Sequence, residues 1–304
     1  MRKTSIDGFG AAMLLLTSLL FGMNQMLIKL VNVGMNPIFQ AGLRSLFAVL
    51  PLILFALWRK KKLSITDGSF SPGILCGMFF AAEFYLLFSA LEYTNVGRSA
   101  VLFYTMPIWV ALAAHWLIPG EVLTGKRIAG LLLAVGGIAL ALLRNDHPAT
   151  SNALTGDLMA LTGSFCWAGI VLTTRLTNLS KAAPEMQMIY QLVVSAPILL
   201  AIAWFGGEYF RDMTPFLWSV FAFQVLIVVA FGFALWFWVL SIYPASDMAS
   251  FSFLTPLFSV FFGWLVFSEV LSWNIVIALA LVGTGLYLVN QQAEGNLITP
   301  IIQQ

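Results

Sequence analysis

Apolar runs of about twenty residues, separated by short polar breaks, recur along the whole chain. A helix rises 1.5 Å per residue, so roughly 20 mainly apolar residues cross the hydrocarbon of a bilayer. Ten such runs can be read, over residues 9–30, 37–57, 71–92, 96–117, 124–143, 154–177, 184–205, 215–241, 245–267 and 272–290. The breaks carry turn chemistry: Asn36-Pro37, Asp67-Gly68, Ser71-Pro72, Pro119-Gly120, Gly206-Gly207 and Tyr243-Pro244. No linker marks a separate soluble domain, and the tail after Asn290 is short. The pattern predicts an all-α integral membrane protein with ten transmembrane helices.

Composition sharpens this reading. Hydrophobic residues make up 60% of the chain and charged residues 9%, against about 25% charged in soluble domains. Most of the chain therefore has lipid as its solvent. A net charge of +2 is too small to argue for nucleic acid. Cys76 and Cys166 both lie inside apolar runs, so no disulfide framework, metal site or cofactor is expected. Met1-Arg2-Lys3 before an apolar run imitates a signal peptide, but no small-residue cleavage site follows, and a retained first span is expected.

Lysine and arginine set the direction. With the N-terminus inside, one side receives Arg2, Lys3, Arg59, Lys60, Lys61, Lys62, Lys126, Arg127, Arg175 and Lys181. The other receives Lys29, Arg98, Arg144 and Arg211. Ten against four places both termini in the cytoplasm.

The chain also repeats itself. Glu-Val-Leu-Thr at 121–124 returns as Glu-Val-Leu-Ser at 269–272. Around it, Tyr93 matches Tyr243, Pro107 matches Pro256, and Gly137 matches Gly285. The first halves match more weakly: Lys29 with Arg175, Pro51 with Pro197, and Gln40 and Arg44 with Gln187 and Gln191. The expected units are residues 9–143 and 154–290, with five spans each. Five is odd, so the second copy enters the membrane from the opposite side, giving two inverted five-helix repeats. Glu121 and Glu269 would then lie on opposite faces, where negative charge suits the helix N-termini of spans 5 and 10.

The stretch from Ala90 to Ala100, followed by Pro107, Glu121-Val122-Leu123-Thr124 and Gly136-Gly137-Ile138, resembles the EamA-type repeat of the drug/metabolite transporter superfamily. The second copy runs from Leu240 through Tyr243, Pro256 and Glu269-Val270-Leu271-Ser272 to Gly283-Thr284-Gly285. The resemblance spans about residues 9–290. It implies a central cavity built mainly from helices 1–4 and 6–9, with helices 5 and 10 more peripheral. It also implies export of amino acids, other metabolites or drugs from a bacterial inner membrane. The aromatic-rich spans look most like the bacterial aromatic amino acid exporters.

Polar groups inside the spans are the candidate chemistry. Arg, Lys or Asp at a helix centre costs about 2.5–3.5 kcal/mol on insertion scales, so such groups face a bundle interior or a wet cavity. Arg44 and Glu83 lie roughly 10 Å and 14 Å from the same end of spans 2 and 3, by helical rise. They would either pair with each other or meet a substrate. An amino acid, carrying a carboxylate and an ammonium, suits both. Gln40 and Arg44 share one face of span 2, and Gln187 and Gln191 repeat that spacing in span 7. Asn24 and Gln224 are further polar candidates. Tyr104 and Trp109 flank Pro107, and Phe253 and Phe258 flank Pro256. Both prolines remove a helical hydrogen bond and read as hinges or fixed bends. Trp167, Tyr190, Trp236 and Trp238 could stack on an aromatic substrate or pack against helices and lipid.

The expected partners are a small-molecule substrate and the bilayer, with the chain a monomer or homodimer. Two other classes fit the sequence less well. A membrane enzyme would show a His/Asp/Glu cluster, whereas His115 and His147 stand far apart in the topology. A channel would show a pore helix or a symmetric filter. No Gly-x-x-x-x-Gly-Lys-Ser/Thr is present, which disfavours ATP-driven transport within this chain.

Overall fold

A computed structural model describes residues 7–118, 123–143, 152–243, 251 and 254–290. Span 1 is Gly8–Asn32, span 2 Pro37–Trp58 and span 3 Phe70–Tyr93. Span 4 is broken into Val96–Phe103 and Met106–Leu117, and span 5 is Gly125–Leu143. Span 6 is Ala153–Leu176 and span 7 Pro184–Gly206. Span 8 runs as Pro215–Phe223, a π-helical stretch Gln224–Phe231, and Gly232–Ile242. Leu254–Phe267 belongs to span 9, and Trp273–Asn290 is span 10. Eight of these are long and apolar enough to cross a membrane, and spans 9 and 10 are shorter among the described residues. Most of the expected start of span 9, from residue 245, lies outside them.

Local sequence explains where the helices begin and end. Asp7 accepts from Gly10 N at 2.8 Å, and Asn36 from Ile38 N at 3.0 Å, each satisfying N–H groups that a first turn leaves open. Proline sits in the first turn of spans 2, 7 and 8, where its missing N–H is no loss. Gly207, with φ of 74°, closes span 7 in the left-handed conformation that glycine adopts freely. The sequence predicts a kink at Pro107, and the helix indeed ends at Phe103 and restarts at Met106.

Packing relates the two halves. Spans 2 and 7, 4 and 9, and 5 and 10 each pack on their own counterpart. Span 3 on span 6 has its image in span 8 on span 1; span 1 on span 9 has its image in span 6 on span 4. Small residues allow the closest approaches. A Cβ on Gly130 would come within 2.6 Å of Gly285 O, and one on Gly42 within 2.9 Å of the Leu200 side chain. The Tyr243 ring covers Gly10, and Gly156 packs against the end of span 3, where Tyr93 Cβ would lie 2.9 Å from an added Cβ, so the two repeated tyrosines lie beside corresponding glycines.

The ends show the inversion. Asp157, at the start of span 6, bonds Thr94 and Arg98, at the end of span 3 and the start of span 4. Asp7, at the start of span 1, bonds Tyr243, at the end of span 8. Span 6 therefore starts at the end of the bundle where span 3 finishes, opposite to where span 1 starts.

Candidate functional site

A cavity of about 660 Å³ lies between the two halves. Its innermost polar groups are Asn24, Arg44 and Glu83, near the middle of spans 1, 2 and 3. From there the wall runs toward the end holding Asp7, through Trp167 and Gln191 to Arg127, Arg175 and Val289. Among the described residues, none that lines it comes from the opposite end of a span. The wall is mostly aromatic and aliphatic, with Phe21, Phe80, Phe84, Phe103, Phe233 and Trp236 prominent.

Helical periodicity places this chemistry. Phe80, Glu83, Phe84 and Leu87 fall at the spacing of one helix face, and all four line the cavity. Phe80 and Phe84 have ring centroids 3.9 Å apart. Phe103 stacks on Trp167 at 5.0 Å, and Tyr104 meets the same indole edge-on at 5.7 Å. The break at Pro107 turns Tyr104, Met106 and Pro107 itself into the wall, and Pro256 lines it from the other half.

Arg44 and Glu83 are both buried, and no ion pair joins them among the described residues. The Arg44 guanidinium lies over Phe84 at 4.2 Å and Phe88 at 4.8 Å, and Nη1 donates to Asn24 Oδ1 at 3.2 Å. Its Nε is buried without a hydrogen-bond partner, as is Glu83 Oε2. An arginine and a glutamate thus line one cavity, each with a buried atom that lacks a partner.

Of the residues expected from sequence, Asn24, Arg44, Glu83, Tyr104, Trp167 and Gln191 come together around this cavity. Five others lie off its wall. Gln40 and Gln224 are fully buried behind Asn24 and bonded to each other at 3.2 Å. Trp109 donates to Ser164 Oγ at 2.8 Å and stacks on Phe165. Gln187 donates to Leu179 O and Ala182 O, the carbonyls of the turn before span 7. The Tyr190 hydroxyl meets Ser69 Oγ at 3.1 Å while its ring fills the space over Gly73. Phe253 lies outside the described residues. Sequence reasoning missed Phe21, Phe80, Phe84 and Phe233; the helical spacing of Phe80, Phe84 and Leu87 about Glu83 was the available signal.

The cavity's closed end is tied by charges that do find partners. Arg98 and Asp157 form a buried ion pair through Nε, at 3.1 and 3.2 Å, and Nη2. Thr94 Oγ1 donates to the same carboxylate at 2.5 Å. Arg211 pairs with Glu92. Lys29 pairs with Glu269 at 3.0 Å and donates to Thr94 O. Glu269 accepts from Val96 N at 2.8 Å and Gly97 N at 3.1 Å. This corrects the expectation from sequence that Glu269 caps span 10. It caps span 4, because span 9 packs against the first turn of span 4. Glu121 lies outside the described residues.

Comparisons with known proteins place this architecture. The EamA-like transporter family matches residues 8–143 and again 154–291. The Bacillus subtilis (strain 168) protein "Uncharacterized transporter YoaV" is 25% identical over 89% of this chain and 93% of its own. A "Probable amino-acid metabolite efflux pump" of Escherichia coli (strain K12) is 26% identical over 90% of this chain and 92% of its own. A solved crystal structure superposes with a TM-score of 0.66 at 17% identity, over 94% of this chain and 98% of that one. That last likeness concerns the fold alone.

Proposed function

The chain belongs to the EamA-like transporter family, and from that premise we propose that it is a secondary transporter exporting amino acids, neutral and aromatic ones foremost. One observation carries the reading. Arg44 and Glu83, of opposite charge and not paired with each other, face a single cavity whose remaining wall is largely aromatic. A carboxylate beside Arg44 and an ammonium beside Glu83 would supply what each side chain lacks. The aromatic wall would take an apolar side chain. The name of the Escherichia coli relative points the same way.

Alternating access supplies the mechanism. The cavity reaches toward the end that the lysine and arginine count assigns to the cytoplasm, and the membrane on this reading is a bacterial inner membrane. Substrate enters there and settles near the midplane. The two halves, residues 9–143 and 154–290, then rock about it, with Pro107 and Pro256 at the bends beside the site. Release requires the ion pairs of the closed end to part while the cytoplasmic end closes.

Flux from proteoliposomes loaded with a panel of labelled amino acids tests the reading. Protein-dependent efflux of phenylalanine, tryptophan or another neutral amino acid supports it. No efflux of any amino acid, with flux of a drug or another metabolite instead, contradicts the substrate class. Repeating the assay with an imposed pH gradient separates proton-coupled from facilitative transport.

A further inference from the structure

Three carboxamides run in line from the wall of the cavity into the bundle. Gln40 Nε2 donates to Gln224 Oε1 at 3.2 Å, and Gln224 Nε2 donates to Asn24 Oδ1 at 3.4 Å. Arg44 Nη1 donates to that same Asn24 oxygen at 3.2 Å. Gln40 and Gln224 are fully buried, whereas Asn24 is part of the cavity wall. The line ends at Gln40 Oε1, buried without a partner.

The polarity of this line is fixed at one end. A guanidinium only donates, so the atom of Asn24 facing Arg44 must be the oxygen. Gln224 adds a second donor to that oxygen. Turning the Asn24 amide over would set its NH2 against two donors. Its NH2 is therefore left as the free end, with no partner among the described residues. Beside it, Arg44 is held by Phe84 and Phe88 and spends Nη1 on Asn24. The pair thus offers hydrogen-bond donors and no free acceptor, which is the chemistry of an anion seat. Gln224 is also the first residue of the π-helical stretch of span 8, a distortion that recurs at functional sites.

We propose that Asn24 binds the substrate carboxylate together with Arg44, and that Gln224 and Gln40 are positioning residues that keep the Asn24 amide donor turned into the cavity. This rests on the amino acid reading and goes beyond it by giving the carboxylate a second donor, Asn24 on span 1, and by giving Gln224 and Gln40 the task of orienting that donor, apart from the ammonium seat at Glu83 on span 3.

The test is equilibrium binding of two ligands to the purified full chain: phenylalanine, and phenethylamine, which keeps the ring and the ammonium but lacks the carboxylate. Gln224→Leu is expected to weaken phenylalanine about tenfold, the scale of one hydrogen bond to a charged group, and to leave phenethylamine within about twofold. Asn24→Asp keeps the shape and replaces the donor by an acceptor; it is expected to weaken phenylalanine further and to tighten phenethylamine. Retained phenethylamine binding shows that each variant is folded. Equal weakening of both ligands, or no change in either, overturns the proposal. Should the wild-type chain bind no amino acid at all, the amino acid reading itself falls, and the carboxylate seat with it.

Discussion

The two ends of the bundle treat charge in opposite ways. At the closed end, Arg98, Lys29 and Arg211 each reach a carboxylate, and Glu269 adds two backbone N–H donors. In the cavity, Arg44 and Glu83 stand in one wall without joining, and each keeps a buried atom with no partner. Charges that hold a structure together satisfy one another. Charged side chains inside the membrane that form no ion pair, where each is expensive, would on the proposed function have their complement supplied by substrate. On the proposed function, this difference separates a gate from a binding site.

Breaking the pairs in order of burial probes the gate. The Asp157 side chain is 0% exposed and Arg98 11%. Asp157→Leu takes the carboxylate away from a buried cation and is expected to cost about 3–5 kcal/mol of stability, read as a fall in unfolding midpoint in detergent. Adding Arg98→Leu should recover much of the loss, since replacing both side chains leaves neither charge buried.

In the cavity, Arg44→Leu is expected to reduce phenylalanine flux by about two orders of magnitude, as truncation of one partner of a buried charge pair does. Its cost in stability should be smaller than that of Asp157→Leu, because it removes one hydrogen bond to Asn24 and two ring contacts rather than a hydrogen-bonded ion pair. A loss of stability like that of Asp157→Leu would erase the contrast between the two regions.

Glu269 and Lys29 are more exposed, at 10% and 22%. Glu269→Gln keeps an acceptor for Val96 N but removes the charge, and is expected to cost about 1–3 kcal/mol. Arg211 and Glu92, at 37% and 22%, form the most exposed of these pairs. Breaking it is expected to cost about 0–1 kcal/mol, and less at high salt. Thermal melts at two salt concentrations rank the three pairs.

The gate is also one-sided in sequence. The offset that pairs Gly156 with Gly10 sets Ala11 opposite Asp157, and the offset that pairs Tyr93 with Tyr243 sets Met248 opposite Arg98. The strongest tie of the closed end has no charged image in the other half.

The spans, the duplication and the intramembrane charges were legible because each is carried by local pattern. Twenty-residue apolar runs, repeated Tyr, Pro and Glu-Val-Leu, and a lone Arg and Glu in apolar runs need no knowledge of neighbours. What failed to show was set by distant partners. Gln187 shares the spacing of Gln40, yet meets the carbonyls of its own preceding turn. Gln40 shares a helical face with Arg44, yet is drawn to Gln224 in the other half. Nothing in Gln224–Phe231, an unbroken apolar run after its first residue, marks the change from α to π geometry. Glu269 was placed near a helix start by sequence, but which helix it caps depends on how spans 4 and 9 pack.

The most direct test is equilibrium binding of labelled phenylalanine to four purified proteins: the wild type, Arg44→Leu, Glu83→Gln and Glu269→Gln. A cavity whose separated charges await an amino acid predicts that the first two variants lose binding while Glu269→Gln binds within a few-fold of wild type. Undiminished binding by Arg44→Leu and Glu83→Gln would contradict the account.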